Sequence, residues 1–217
     1  MKYKGIEINW LGHAGFKIAN DSKVIYIDPF QLENNKNYDN ADIIFITHPH
    51  YDHLSIEDIK KIIKKETLIV STSDVNSKLR KVGENLNVRI IEPNQKLEVS
   101  GIKIQTLPSY NIGKEFHPKN NFWVGYVIEI NGIRIYHTGD SDVIPEMNTI
   151  KTDIVLLPVG GTYTMNNYEA VRAVEIIKPS LAIPMHYGSI VGSKKDAEDF
   201  VNGCKSIGIN AEVLEKG

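Results

Sequence analysis

From Thr47 to His53 the chain reads Thr-His-Pro-His-Tyr-Asp-His, which puts three of its seven histidines and one aspartate within six residues. Imidazoles and carboxylates are the side chains that hold divalent cations. His48 and His50 stand two apart, so an extended backbone turns both to one side, and Pro49 stiffens the link between them. Asp52 and His53 follow as the chain turns towards a helix. The turn thus offers two imidazoles on one side and a carboxylate with an imidazole on another. That division suits two cations about 3.5–4 Å apart, each taking part of its shell here. The plainer alternative is a histidine-rich surface loop, and His-Pro-His alone would fit it. The full His-x-His-x-Asp-His after an apolar strand favours the metal.

The elements that must position these groups are legible as short runs. Residues 41–48, Ala-Asp-Ile-Ile-Phe-Ile-Thr-His, are apolar on both faces and predict an interior strand. Its C-terminal edge is where sites on α/β sheets collect. Before it, residues 6–12, 15–19 and 23–30 read as a meander with tight turns. After it, apolar residues at 56, 59, 62 and 63 predict a helix, with Ser55 and Asp58 as its capping box. A strand over 67–72 and a helix over 74–83 closed by Gly83 follow. Strand-like runs begin at Val88, Lys96, Ile102 and Val124, the last holding an Asn131-Gly132 hairpin turn. Further strands are expected over 152–160, 181–188 and 209–214, with helices over 166–178 and 193–208. Two sheets with helices on their outer faces would bury these runs in layers.

The chain has 217 residues, 41% apolar and 24% charged, and we read one domain over 1–217. A formal charge of −2 provides no general basic field for a nucleic-acid backbone, so no nucleic-acid partner is expected. The single cysteine, Cys204, rules out an intramolecular disulfide and a cysteine-based zinc knuckle, and reads as a small buried residue. The start lacks a signal-peptide core, and no run reaches the ~20 apolar residues of a membrane span. A cytoplasmic protein with no membrane association is expected; a homo-oligomer stays open.

The motif over 47–53 resembles that of the metallo-β-lactamase superfamily. The likeness extends along the chain: residues 10–18 followed by 24–30 look like the opening of its branch with ascorbate-phosphate lactonase-like and phospholipase-D-like members. Residues 133–142 resemble its later Gly-Asp segment and 181–188 its final ligand histidine. The resemblance implies a four-layer αββα sandwich, of class α/β (α+β by some schemes). It implies two divalent metal ions, zinc first, with manganese or iron as alternatives. His48 and His50 would hold the first metal, Asp52, His53 and His186 the second, and Asp140 would bridge. Taken alone, Asp140 reads equally as a turn residue and His186 as a satisfied core histidine. The third histidine of the first metal is displaced here: Asn111 stands where it is expected, and His117 follows six residues later. His117 is the favoured ligand, with Asn111, water or nothing as alternatives.

Of the remaining histidines, His137 should be packed beneath the site. His13 is either a catalytic group contacting substrate or a structural turn residue. Asp28, ending a strand before Pro29, could fix the tautomer of a ligand histidine or cap a turn. The implied chemistry is hydrolysis, by a hydroxide held between two metals and oriented by Asp52. The target would be an ester, lactone or phosphodiester of a small anionic substrate, with Tyr110, Lys114, Phe116, Lys119 and Trp123 as loop residues near it. A di-metal redox protein or a non-catalytic metal-bound scaffold are the other readings.

Overall fold

The computed structural model describes residues 1–217. The chain forms two compact units, Met1–Ile91 with Glu215–Gly217, and Glu92–Leu214.

The first unit holds β1 (Lys2–Tyr3), β2 (Ile6–Gly12), β3 (Gly15–Ala19), β4 (Val24–Ile27), β5 (Ile43–Ile46), α1 (Ile56–Ile62), β6 (Leu68–Ser71), α2 (Ser73–Leu79) and β7 (Asn87–Ile90). The strands form one seven-stranded sheet in sequence order. β1 to β4 pair antiparallel; β4 to β7 pair parallel, with α1 and α2 as crossovers. β5 lies between β4 and β6 with all four residues buried, the interior strand its apolar run predicts. One face packs Tyr26, Ile44, Ile46 and Ile69 against Ile59 and Ile62 of α1 and Val75 and Leu79 of α2. Each such burial stabilises by about 1.5–3 kcal/mol relative to exposure.

Two local expectations change. Ser55 caps α1 by accepting the Asp58 N–H at 3.3 Å, but the reciprocal half of the box is missing. The Asp58 carboxylate instead accepts the N–H groups of Gln31 (2.8 Å) and Leu32 (3.2 Å) and the ammonium of Lys61 (2.8 Å), tying the loop after β4 to the helix. And α2 ends at Leu79, well before Gly83: two tight bonds, Lys81 N–H to Lys78 and Val82 N–H to Leu79, close its last turn.

The second unit holds β8 (Lys96–Val99), β9 (Ile102–Pro108), β10 (Val124–Ile130), β11 (Ile133–His137), β12 (Ile154–Pro158), α3 (Asn167–Ile177), β13 (Leu181–Met185) and α4 (Lys194–Ser206). Its six-stranded sheet runs from β13 to β8. β8 to β11 pair antiparallel and β11 to β13 parallel. The predicted hairpin forms between β10 and β11, with Asn131 and Gly132 both left-handed, at φ 51° and 75°. Asn166 and Glu169 make a full capping box on α3. The strand expected over 209–214 is reduced to a single bridge, Ala211 with Ala182. No helix is long and apolar enough to cross a membrane.

The two sheets repeat one plan, an antiparallel meander followed by parallel crossover strands. Residues leaving β2, β4 and β5 emerge at one edge of the first sheet. Residues leaving β9, β11, β12 and β13 emerge at one edge of the second.

Candidate metal centre

In the first unit the predicted cluster forms on that edge. His48 and His53 are buried and His50 is half-buried. Asp28, the residue after β4, organises them. Its Oδ1 accepts the Thr47 N–H at 2.8 Å, and its Oδ2 accepts the Thr47 hydroxyl at 2.6 Å and His53 Nδ1 at 2.7 Å. A carboxylate can only accept, so His53 carries its proton on Nδ1 and a lone pair on Nε2. Thr47 has given its one hydroxyl hydrogen to Asp28, so it accepts from His48 Nδ1 at 2.9 Å. His48 therefore also directs a lone pair from Nε2. That atom lies 3.1 Å from His50 Nδ1, and the His48 and His53 rings are 4.0 Å apart at their centroids. Of the two readings of Asp28, the geometry has it accepting the N–H of His53.

Asp52 and His13 join the same group. His13 Nε2 is 2.9 Å from Asp52 Oδ2, and that oxygen is 3.8 Å from His53 Nε2. His13 sits in the turn between β2 and β3, and its carbonyl accepts the Trp10 indole N–H at 2.8 Å. His13 and Asp28 both hold left-handed backbone, at φ 51° and 45°. Such geometry costs non-glycine residues of order 1–3 kcal/mol and collects at functional sites.

In the second unit Asp140, three residues beyond β11, meets two histidines. Asp140 Oδ2 lies 3.0 Å from His186 Nε2 and 3.3 Å from His117 Nε2, and all three residues are buried. His186 follows β13 directly and is left-handed at φ 59°. Its backbone runs so close to Gly160 that a Cβ there would sit 2.2 Å from the His186 carbonyl oxygen. Asn111 turns to His117: its Oδ1 lies 3.1 Å from His117 Nδ1. His137 is buried, and its Nδ1 accepts the Gly139 N–H at 3.2 Å, a packed position as expected.

The donor chemistry fits cations in both units. Two ligands of a tetrahedral zinc, each about 2.0–2.1 Å from it, stand about 3.3 Å apart. The His48–His50, His117–Asp140 and His186–Asp140 spacings of 3.1, 3.3 and 3.0 Å are of that size. Asn111 Oδ1 also accepts the His117 backbone N–H at 3.2 Å, which identifies it as the oxygen. His117 then holds its proton on Nδ1 and turns a lone pair towards a carboxylate oxygen. Two buried acceptors face each other stably only with a positive charge between them.

The loop cations expected near an anion are otherwise engaged. Lys114 Nζ binds Asp142 (2.6 Å) and the Thr164 carbonyl (2.8 Å), and Lys119 binds Glu146 (2.8 Å). Tyr110 and Trp123 are buried; Phe116 is exposed and stacks edge-on with Tyr163 at 4.7 Å. Burial pushes the Tyr110 phenol up, and Glu146 beside it acts in the same direction. Sequence reading passed over Thr47 and Asp142. The only trace of Asp142 is its place two residues after Asp140 in the run Asp-Ser-Asp.

Residues 7–186 match the profile of the Beta-lactamase superfamily domain. A metal-dependent hydrolase of the UPF0173 group from Thermococcus onnurineus is 36% identical over 96% of this chain and 95% of its own length. One from Archaeoglobus fulgidus is 33% identical over the same shares. Among solved structures, a protein from Parabacteroides distasonis superposes with a TM-score of 0.85 at 28% identity, covering 97% of this chain and 94% of that one. The metallo-β-lactamase fold protein YhfI from Bacillus subtilis, at 12% identity and a TM-score of 0.73, covers 98% and 97% and shares the fold.

Proposed function

This chain belongs to the metallo-β-lactamase superfamily and is one of its metal-dependent hydrolases; on that footing we propose that it uses two divalent cations, zinc first among them, to cleave an ester, lactone or phosphodiester bond of a small anionic substrate. The proposed donors are His48, His50 and His117 for one cation and Asp52, His53 and His186 for the other. Asp140 would be shared by the two, and we read the whole chain as one domain. The observation that carries the reading is the set of tautomers. Asp28, Thr47 and Asn111 hold protons on the Nδ1 atoms of His53, His48 and His117, so each Nε2 lone pair faces another donor atom.

Cations held there would supply Lewis acidity and lower the pKa of a water molecule towards about 7. The chain's own residues orient and move the proton. Asp52, held at Oδ2 by the Nε2–H of His13 2.9 Å away, would accept the proton from the attacking water and return it to the leaving oxygen. Substrate charge is met in the first unit by Lys78, whose Nζ lies 2.7 Å from the Pro49 carbonyl and so stands against the donor turn. Tyr51 of the turn itself and Phe30, with ring centroids 6.0 Å apart, offer an apolar wall.

Elemental analysis of the isolated protein, with turnover on a panel of phosphodiesters, lactones and thioesters, tests this. Asp140→Asn and His50→Ala should each abolish turnover and lower metal content. A metal-free variant with full activity refutes the reading.

A further inference from the structure

In the second unit one short loop does the work of aiming a donor. Residues 111–117 leave the edge beyond β9 and return, and the two ends close on each other. The Asn111 N–H donates to the His117 carbonyl at 2.8 Å, and the His117 N–H donates to Asn111 Oδ1 at 3.2 Å. The same oxygen accepts from His117 Nδ1 at 3.1 Å. The orientation of that amide is itself held: Asn111 Nδ2 donates to Asp142 Oδ1 at 3.3 Å. Asp142 is fixed in turn by the Ile112 N–H at 2.8 Å and the Lys114 ammonium at 2.6 Å, while its own N–H donates to Tyr110 O at 2.9 Å. All of Asn111, His117 and Asp142 are at most 8% exposed, so water competes little for these bonds.

An amide has one oxygen and one NH2, and the two ends demand different partners. Asp142 as a carboxylate can take only the NH2, and the His117 N–H can bond only the oxygen. A flipped amide would set NH2 against N–H and oxygen against carboxylate. The amide therefore has one stable orientation, and with it the His117 ring has one tautomer and one direction for Nε2.

We propose that Asn111 is a positioning residue: with Asp142 and Lys114 behind it, its amide locks His117 as the Nδ1–H tautomer and aims Nε2 at Asp140, taking up from the loop the place a direct ligand would fill. The inference rests on the reading of His117 as a cation ligand. Asn111 touches neither cation nor substrate; it acts through the ring of His117. Its removal leaves the ring free to turn and to move its proton to Nε2, where it blocks coordination.

The test uses the full chain and zinc alone. Zinc affinity is measured by competition with a chromophoric chelator. The His117 tautomer is read in the metal-free protein from long-range ¹⁵N–¹H imidazole correlations. The variants are Asn111→Ala, the double variant Asn111→Asp with Asp142→Asn, and His117→Ala. Asn111→Ala should weaken zinc binding about 10–100-fold, the usual cost of losing the hydrogen-bond partner of a ligand, and should convert the His117 signal from Nδ1–H to a mixture. The double variant keeps an oxygen on His117 and sets an NH2 against it in place of the Asp142 carboxylate, so it should keep the Nδ1–H signal and bind zinc more tightly than Asn111→Ala. Far-UV circular dichroism excludes unfolding as the cause, and the double-variant rescue holds even if the alanine variant is less stable. Parental affinity and tautomer in Asn111→Ala overturn the inference, as does failure of the folded double variant to rescue. If His117→Ala itself binds two zinc ions with parental affinity, the underlying ligand assignment fails instead.

Discussion

Gly160 to Ala is a one-carbon change whose consequence can be worked out from distances. Gly160 lies two residues beyond β12, against the backbone of His186. An added Cβ would sit 2.2 Å from the His186 carbonyl oxygen and 3.1 Å from Val191 Cγ1. Ordinary contact begins at 3.4 Å, and 3.4 less 2.2 leaves about 1.2 Å for the His186 carbonyl to retreat. The other side is also tight, since a Cβ at Gly192 would lie 2.7 Å from Gly160 Cα. The His186 ring hangs from the displaced backbone, and coordination distances tolerate only about 0.2 Å. The shift exceeds that several-fold. Overpacking of this kind costs about 1–3 kcal/mol, which for a chain of this size lowers the melting temperature by about 2–12 °C. The expected result is a folded metal-free protein, modestly less stable, that binds zinc at least ten-fold more weakly and turns over poorly. The assays are thermal unfolding of the metal-free form, chelator competition and the substrate panel. Gly83→Ala is the control, because its nearest neighbour, Leu86 Cδ2, would be 3.9 Å from the new Cβ. A Gly160→Ala protein with parental zinc affinity would show that the close approach does not position His186.

Other outcomes follow from the same structure. Asp28→Asn sets an NH2 against either the Thr47 N–H or the Thr47 hydroxyl and His53 Nδ1–H, so zinc affinity should fall about 10–100-fold; unchanged affinity by chelator competition refutes it. Burial opposes ionisation of Asp42, but the Lys64 ammonium, the Val24 N–H and the charge of Lys23 outweigh it and hold the carboxyl below its usual 3.8. The unfolded chain then binds more protons than the folded one below pH 3.8. Asp42 therefore stabilises above that pH, and its contribution is lost as pH falls through the folded value. Asp42→Asn should flatten that part of the stability–pH curve measured by urea unfolding, and an unchanged slope counts against the ion pair. Burial pushes the Cys204 thiol up to about 12, so a thiol reagent at pH 8 should label it only as the protein unfolds; fast labelling of native protein contradicts that.

Local chemistry made much of this molecule readable. The β5 run announces a buried strand because apolar β-branched residues on both faces fit nothing else. The Ser55 cap of α1 stands in the sequence because a cap is made by residues three apart. The cost of local reading shows at Asp58. Its spacing from Ser55 satisfies the capping-box pattern, yet its carboxylate went to Gln31 and Leu32, partners that spacing cannot reveal. The run 209–214 has strand composition, but a strand needs a neighbour along its whole length, and it meets β13 at one residue only.

For the proposed donor set, residue types and spacing pointed to the crowded turn after β5, and the family resemblance pointed to Asp140 and His186. They could not say which nitrogen of each ring carries its proton. That depends on Asp28 and Thr47 in one unit and on Asn111 and Asp142 in the other, contacts made by residues that each sheet's own register brings to its edge. Side-chain spacing along the chain encodes what groups exist; hydrogen-bond partners separated by 6 to 31 residues are chosen only when the strands pair, because direction and distance between such groups are properties of the folded backbone and of nothing shorter.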